Sequence, residues 1–185
     1  MRILALLLVM GLLSGCAEEE LELERGMELR SKILKAEYVE FDVDITADYG
    51  DKLHSFSMTC RGDSDGTVHF TVTAPETIAG ITGKVSGDEG LLTFDEIALS
   101  MDLLTDDQLS PIGAPWVFLK TLRSGYLRVA GQEGEQLRLT IQDSYEEDSL
   151  QLDIWIGDDN IPIQSEILYD GKRILSLNVR SFRIL

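Results

Sequence analysis

Residues 38–47 read YVEFDVDITA, and this stretch decides the fold. Apolar side chains occupy every second position, namely Val39, Phe41, Val43, Ile45 and Ala47. Successive side chains of a β-strand point to opposite faces, so strict alternation predicts a strand with one buried and one solvated face. A sheet built from such strands must cover its apolar face with another layer.

Short runs of the same kind continue along the chain and are separated by turn residues, which favours a meander. Asp170-Gly171 is a strong hairpin signal between the last two of them. Besides 38–47, strands are predicted at Leu53 to Arg61, Val68 to Ala74, Ile78 to Ser86, Leu91 to Phe94, Ile97 to Ser100, Leu127 to Val129, Leu137 to Ile141, Leu150 to Ile156, Ile163 to Tyr169 and Leu175 to Val179.

Two segments have helical spacing instead. Between Leu21 and Lys35 a broad apolar arc is interrupted by Arg30. The arc consists of Leu23, Met27, Leu29, Ile33 and Leu34. Pro115 suits the first turn of a second helix, which carries Trp116, Leu119 and Leu122 and ends at Gly125.

The N-terminus carries an apolar run, Ile3 to Leu13, behind Arg2. The run is shorter than the roughly 20 residues of a membrane-spanning helix. It ends in Leu13-Ser14-Gly15-Cys16, which resembles the lipobox of a bacterial lipoprotein. The resemblance implies that residues 1–15 are a cleaved signal peptide and that Cys16 is lipidated, with palmitate as a typical acyl chain. Residues 16–20 would then be a short tether and 21–185 a single domain. A buried N-terminal helix or an uncleaved signal-anchor is the alternative.

Composition restricts the classes of partner. The 185 residues carry a net charge of −17, which argues against nucleic acid and against direct adhesion to anionic lipid headgroups. The membrane partner must therefore be reached through the lipid on Cys16. Once Cys16 is modified, Cys60 has no cysteine to pair with, so no internal disulfide is expected, and its alternating context predicts a small buried hydrophobe.

Motif-like strings give no catalytic centre. Residues 63–67, Asp-Ser-Asp-Gly-Thr, resemble a phosphoaspartyl phosphatase string, but alternating strands flank them, so a hairpin turn is predicted. Residues 80–84 lack the glycine spacing and the final Ser or Thr of a phosphate loop. His54 and His69 have no further ligands at zinc spacing. We therefore expect no enzyme activity, no metal and no cofactor.

The order of elements resembles the bacterial lipoprotein-carrier (LolA/LolB-like) superfamily. The resemblance rests on the signal, the N-terminal helix, the strand at 38–47, the stretches Val68 to Pro75 and Gly90 to Asp95, the Pro- and Trp-bearing helix and the closing hairpin. It implies an α+β fold: a strongly curved antiparallel half-barrel with an N-terminal helix and a second helix covering the concave face. It further implies an apolar cavity that receives acyl chains without catalysis.

Two functions follow as hypotheses. The first is a lipid-anchored carrier, acceptor or chaperone in the cell membrane or outer membrane, facing away from the cytoplasm, that shelters acyl chains or another apolar ligand. Its candidate cavity residues are Phe41, Phe56, Met58, Phe70, Phe94, Trp116 and Leu119. The second is an anchored interaction module with a filled core, whose acidic face docks a cationic or envelope protein. Trp155 lies opposite the apolar face of its strand and is expected on a partner surface.

Overall fold

The structure is a computed structural model that describes residues 20–48, 53–87, 89–94, 97–102, 104–105, 108–146 and 149–185. The predicted signal peptide (1–15), Cys16 and most of the 16–20 tether lie outside the described residues. None of the helices in these ranges is both long and apolar enough to cross a membrane.

The described chain contains two α-helices and thirteen β-strands. Helix α1 spans 20–35. The first strands are β1 (Tyr38–Asp48), β2 (Leu53–Asp63), β3 (Val68–Ala74), β4 (Thr82–Ser86), β5 (Glu89–Phe94), β6 (Ile97–Asp102), β7 (Leu104–Thr105) and β8 (Gln108–Leu109). A 3-10 turn (Pro111–Gly113) leads into helix α2 (Ala114–Ser124). The last strands are β9 (Tyr126–Glu133), β10 (Gln136–Gln142), β11 (Gln151–Ile156), β12 (Pro162–Tyr169) and β13 (Lys172–Ile184).

Eleven of these strands form one antiparallel sheet in the order β6-β5-β4-β3-β2-β1-β13-β12-β11-β10-β9. Strand β1 lies between β2 and β13, with Phe41 opposite Cys60 on one side and Phe182 on the other. The remaining two strands, β7 and β8, pair only with each other. In the described residues β6 and β9 are the edges of the large sheet, which is open.

Helix α2 lies over several strands of the sheet. It contacts β2 on one side of the central β1–β13 pair, and β10, β11 and β12 on the other side. Strands β2 and β10 are five positions apart in the sheet, which is about 24 Å in a flat arrangement at about 4.8 Å per strand. Helix α2 has 11 residues and is about 17 Å long at 1.5 Å per residue. Its contacts with both sets of strands are consistent with a curved sheet.

Helix α1 packs beside α2. Gly26 lies against the Leu139 side chain of β10, and Leu29 and Ile33 on the same side of α1 are fully buried. Arg30 joins the two helices, because its guanidinium donates to carbonyl oxygens at the C-terminal end of α2. Both helices are thereby fixed against the apolar face of the sheet.

The predicted elements are largely confirmed, with some differences in extent. The strand predicted from Ile78 begins only at Thr82, because 76–80 form turns. Strand β9 continues past Val129 to Glu133, and the final strand continues to Ile184. The short β7–β8 pair precedes α2, where no strand was predicted. The hairpin predicted at 63–67 is confirmed by the pairing of β2 with β3.

Candidate functional site

The interior below α2 contains a packed cluster of the protein's own aromatic side chains. Phe118 of α2 is fully buried, and its ring centroid lies 5.6 Å from that of Phe41 and 6.2 Å from that of Phe182. The rings of Phe41 and Phe182 are 6.0 Å apart. These three rings join β1, β13 and α2 into one aromatic cluster.

The seven candidate cavity residues have different surroundings. Five are buried in the core, namely Phe41, Met58, Phe70, Trp116 and Leu119. Phe56 is half-buried against the core. Phe94 lies on β5, and its side chain is outside the described part of the structure. Of the seven, only Trp116 and Leu119 line an apolar depression at the surface.

That depression, called the apolar cleft below, opens between the two helices and the β2–β3 turn. Its volume is about 330 Å³. Its apolar walls are formed by Leu34 of α1, Val68 of β3, and Trp116 and Leu119 of α2. The polar part of its lining consists of Ser64, Asp65, Gly66, Ser86, Gly87, Lys120, Arg123 and Ser124.

Close packing positions the walls of the apolar cleft. Gly62 on β2 has no side chain, and a Cβ there would collide with Leu119, so the glycine allows α2 to approach the sheet. The β2–β3 turn is closed by the Asp65 carboxylate, which accepts from the Thr67 amide at 2.9 Å. Gly66 in this turn has a φ of 90°, which favours glycine. Together these contacts hold the turn beside the last turn of α2.

Arg123 is the one cation of the apolar cleft with buried nitrogen atoms among the described residues. Its Nη1 donates to the Asp63 carbonyl oxygen at 2.6 Å. Its Nε and Nη2 atoms are buried and have no hydrogen-bond partner in the described chain. Burial lowers the pKa of the Arg123 guanidinium, and the charges of Asp63 and Asp65 partly oppose this shift. Lys120, by contrast, is exposed, with its Nζ 4.8 Å from the centroid of the Trp116 ring.

The apolar surface continues from the apolar cleft along α1. Leu23, Met27 and Leu34 are 46%, 51% and 61% exposed, and we call these three residues the α1 stripe. Leu34 also lines a second groove of about 270 Å³ together with Met27 and the stem of Arg30. The predicted arc of α1 therefore splits into a buried side, with Leu29 and Ile33, and an exposed stripe.

A larger groove of about 520 Å³ lies over the solvated side chains of β1 to β5 and β13. Several of its charged groups are paired within the protein: Arg183 contacts Glu40 at 2.8 Å, and the Asp42 carboxylate accepts from Thr59 and Ser181. Phe41 and Phe70 also line this groove. About half of its lining is polar, whereas the lining of the apolar cleft is mostly apolar.

The remaining chemical candidates have structural surroundings. Cys60 is a free, buried thiol as predicted, and burial raises its pKa. His69 lies 3.3 Å from the Asp63 carboxylate on the solvated face. No group of three or more His, Cys, Asp or Glu side chains in the described ranges could hold a metal ion. Trp155 is half-buried, and its ring centroid lies 5.2 Å from the Cζ atom of the Arg138 guanidinium.

Solved structures resemble this chain in fold. A DUF1329 family protein from Desulfovibrio piger ATCC 29098 matches with a TM-score of 0.50 and 9% identity, covering 90% of this chain and 93% of that one. A putative outer membrane lipoprotein-sorting protein domain from Vibrio parahaemolyticus matches with a TM-score of 0.46 and 9% identity over the same shares. A LolA superfamily protein from Nitrosomonas europaea matches with 0.44 and 8%, covering 86% and 93%.

The fold is LolA-like. The element order predicted this, and the prediction is confirmed for the fold. No protein-family model matches the chain, and no curated protein matches it. At about 9% identity the likeness concerns the fold alone. A shared fold does not determine function, which depends on the residues of the site.

Of the residues that line the apolar cleft, the sequence predicted only Trp116 and Leu119 as cavity residues. Val68 was predicted only as part of a strand, and no role was predicted for Arg123. Arg123 has one local signal, a cation in the last turn of an apolar helix, but this signal is equally expected from the helix dipole. Its contact with Asp63, sixty residues away in the chain, gives no sequence pattern.

Proposed function

We propose that this protein is a non-catalytic, lipid-anchored binding protein of the cell envelope that takes an acyl chain or another apolar ligand in the apolar cleft. The observation that carries the proposal is the open, mostly apolar depression lined by Trp116, Leu119, Leu34 and Val68 beside an otherwise filled interior. Its volume of about 330 Å³ lies at the lower end of the range of about 300–1,000 Å³ usual for ligand pockets.

In this proposal the ligand lies at the rim of the half-barrel and not at its centre. The LolA/LolB-like resemblance implies a cavity on the concave face below covering helices. Here Phe41, Phe118 and Phe182 fill that space. Among the described residues, the apolar cleft is a depression that apolar side chains of both helices face.

The α1 stripe supports a route between a membrane and the cleft. In the proposal Cys16 carries the lipid and residues 1–15 are removed. The domain from residue 21 then lies on the extracytoplasmic side of the cell, anchored to the cell membrane or to the outer membrane. Leu23 is near the anchored end, and Leu34 lies about 17 Å further along α1 at 1.5 Å per residue, at the cleft itself. An acyl chain could thus move along exposed apolar side chains.

Tryptophan fluorescence tests the proposal, since the chain has two tryptophans and only Trp116 lines the cleft. The chain is used without residues 1–15 and with Cys16→Ser, so that neither acylation nor the apolar run of residues 3–13 calls for detergent. With Trp155→Phe added, an uncharged bromoalkyl alcohol should quench Trp116 fluorescence saturably. The matched variant, Trp116→Leu, keeps only Trp155 and should show no saturable quenching. Equal quenching of both variants, or of neither, would contradict ligand binding in the cleft.

A second candidate function is a docking module for an envelope protein. The filled interior and the exposed α1 stripe favour it, because large exposed apolar side chains in a row often mark interaction surfaces. A photo-crosslinker at Met27 in cells should then give one discrete protein adduct. The same crosslinker at Leu53, which is exposed on β2, should not. Ligand binding without any adduct at Met27 would reject this candidate.

A further inference from the structure

One edge of the Arg123 guanidinium, formed by Nε and Nη2, is an unusual polar feature of the apolar cleft. Nε–H and one Nη2–H of an arginine point in the same direction, which is the geometry that binds two oxygens of a carboxylate or phosphate. In Arg123 this edge is buried without a hydrogen-bond partner among the described residues, whereas Nη1 is satisfied by the Asp63 carbonyl. Leaving such donors unpaired is costly, so the edge requires an explanation.

Neighbouring carboxylates do not provide the missing partner. The two oxygens of the Asp63 carboxylate lie at 2.9 Å from Arg61 and at 3.3 Å from His69. The Asp65 carboxylate accepts from the Thr67 amide. Each acid near Arg123 is therefore engaged elsewhere, although the chain as a whole carries a net charge of −17.

The cleft is locally cationic. Lys120 and Arg123 line it, with Asp65 as the only acid among the lining residues described. Arg30 lies close by, because its guanidinium donates to the Arg123 carbonyl oxygen at 3.2 Å. A positive end next to apolar walls is complementary to a molecule that is itself apolar with an anionic head.

We propose that the apolar cleft selects a single-chain amphiphile with an anionic two-oxygen head, a carboxylate or a phosphate monoester, whose head pairs with the Nε and Nη2 edge of Arg123. The inference rests on the proposed function, since the chain of the amphiphile occupies the walls formed by Trp116 and Leu119. Neither nitrogen contacts solvent, so the Arg123 side chain must turn toward the cleft that it already lines for the head to reach it.

Three probes of equal chain length separate the head from the chain: dodecanoate, dodecyl phosphate and dodecanol. Affinity is measured by competition with the bromoalkyl alcohol in the Cys16→Ser, Trp155→Phe chain. A charge-assisted pair contributes about 1.5–3 kcal/mol, so at least one anionic probe should bind about 10- to 100-fold more tightly than dodecanol. Whichever anionic probe binds more tightly identifies the head as a carboxylate or a phosphate.

Variants assign the preference to Arg123. Arg123→Gln should bind all three probes with the affinity that dodecanol has for the parent chain. Arg123→Lys retains the charge without the two-donor edge and should keep only part of the preference. Arg128→Gln removes one positive charge from edge strand β9, away from the cleft, and should keep the full preference. If Arg123→Gln does not fold, the test uses Arg123→Lys together with the affinities of the parent chain for the anionic probes relative to dodecanol.

The outcomes separate the two proposals. If dodecanol and both anions bind the parent chain equally, the anion inference is wrong and the apolar cleft remains a binding site. If Arg128→Gln loses as much preference as Arg123→Gln, the preference reflects overall charge and the inference is also wrong. If none of the probes binds, the proposed function fails, and the inference fails with it.

Discussion

The guanidinium of Arg30 on α1 donates to the Gly125 carbonyl oxygen at 2.6 Å, at the residue that ends α2. The same side chain also donates to the carbonyl oxygens of Leu122 at 2.9 Å and Arg123 at 3.2 Å. The last carbonyls of a helix lack intrahelical partners and carry partial negative charge. One cation of α1 thus caps α2 and fixes the wall of the apolar cleft.

Arg30→Met should destabilise the fold. Hydrogen bonds to charged groups contribute about 1.5–3 kcal/mol, and methionine removes the donors but keeps the apolar stem. Urea unfolding should show a loss in that range. Lys32→Met on the same helix removes an exposed ion pair with Glu28 and should leave the urea midpoint nearly unchanged. Equal losses in the two variants would show that Arg30 does not cap α2.

Gly62→Ala should also destabilise the protein, because the added Cβ would meet the Leu119 side chain. Overpacking of this kind costs about 1–3 kcal/mol. Shortening the opposing side chain by Leu119→Ala in the same molecule should recover part of the Gly62→Ala loss, which a double-mutant cycle measures. Gly131→Ala on β9, where nothing lies within 4 Å of the new Cβ, is the control. Strict additivity of the two changes would refute the contact.

Asp153 is a buried carboxylate on β11, with 2% of its surface exposed. It accepts from Arg138 at 2.6 Å and from Thr140 at 2.7 Å. Asp153→Ala removes both acceptors and should cost about 2–4 kcal/mol. Glu133→Ala removes only the exposed partner of Arg138 and should cost less than about 1 kcal/mol. Thermal unfolding of the Asp153→Ala and Glu133→Ala variants measures the two losses of stability. Similar losses would contradict the larger contribution of the buried Asp153 carboxylate.

Acid should weaken the fold partly through Asp42. Hydrogen bonds from Ser181 and Thr59 hold the pKa of this carboxyl below its ordinary value. A group with a lowered folded-state pKa contributes stability above its unfolded pKa and loses it as the pH falls through the folded value. Below about pH 4 the unfolding free energy of the parent chain should therefore fall more steeply than that of Asp42→Asn. Parallel curves between about pH 7 and pH 2 would exclude this contribution.

Local patterns predicted the sheet well because a strand's burial is set by its own alternation. The predicted alternation of β1 is the observed one, with Val39, Phe41, Val43, Ile45 and Ala47 all buried. Pro115 placed the start of α2 for an equally local reason, since proline is tolerated in the first helical turn.

The orientation of α1 could not be predicted in the same way. Its apolar residues cover too wide an arc to define one buried side. Gly26, which lies against Leu139 of β10, is a residue that no hydrophobic pattern detects. Helical spacing alone therefore places the exposed Leu23, Met27 and Leu34 in the same apolar arc as the buried Leu29 and Ile33. Arg30, the interruption in the arc, is the residue that joins the helices.

The candidate site was predicted only in part. Trp116 and Leu119 were named and line the apolar cleft, while Phe41, Met58 and Phe70 belong to the packed core. Strand alternation shows which side chains face inward, but not whether the opposite layer fills the space between them. That depends on Phe118 and Phe182 meeting across the fold, a contact between distant parts of the chain.

The aromatic cluster of Phe41, Phe118 and Phe182 packs the core with the protein's own rings. If the proposed function is correct, a guest at the rim is not needed to complete this core. Such a guest would leave without the helices lifting from the sheet, and its exchange would depend on an encounter with a donor or acceptor surface.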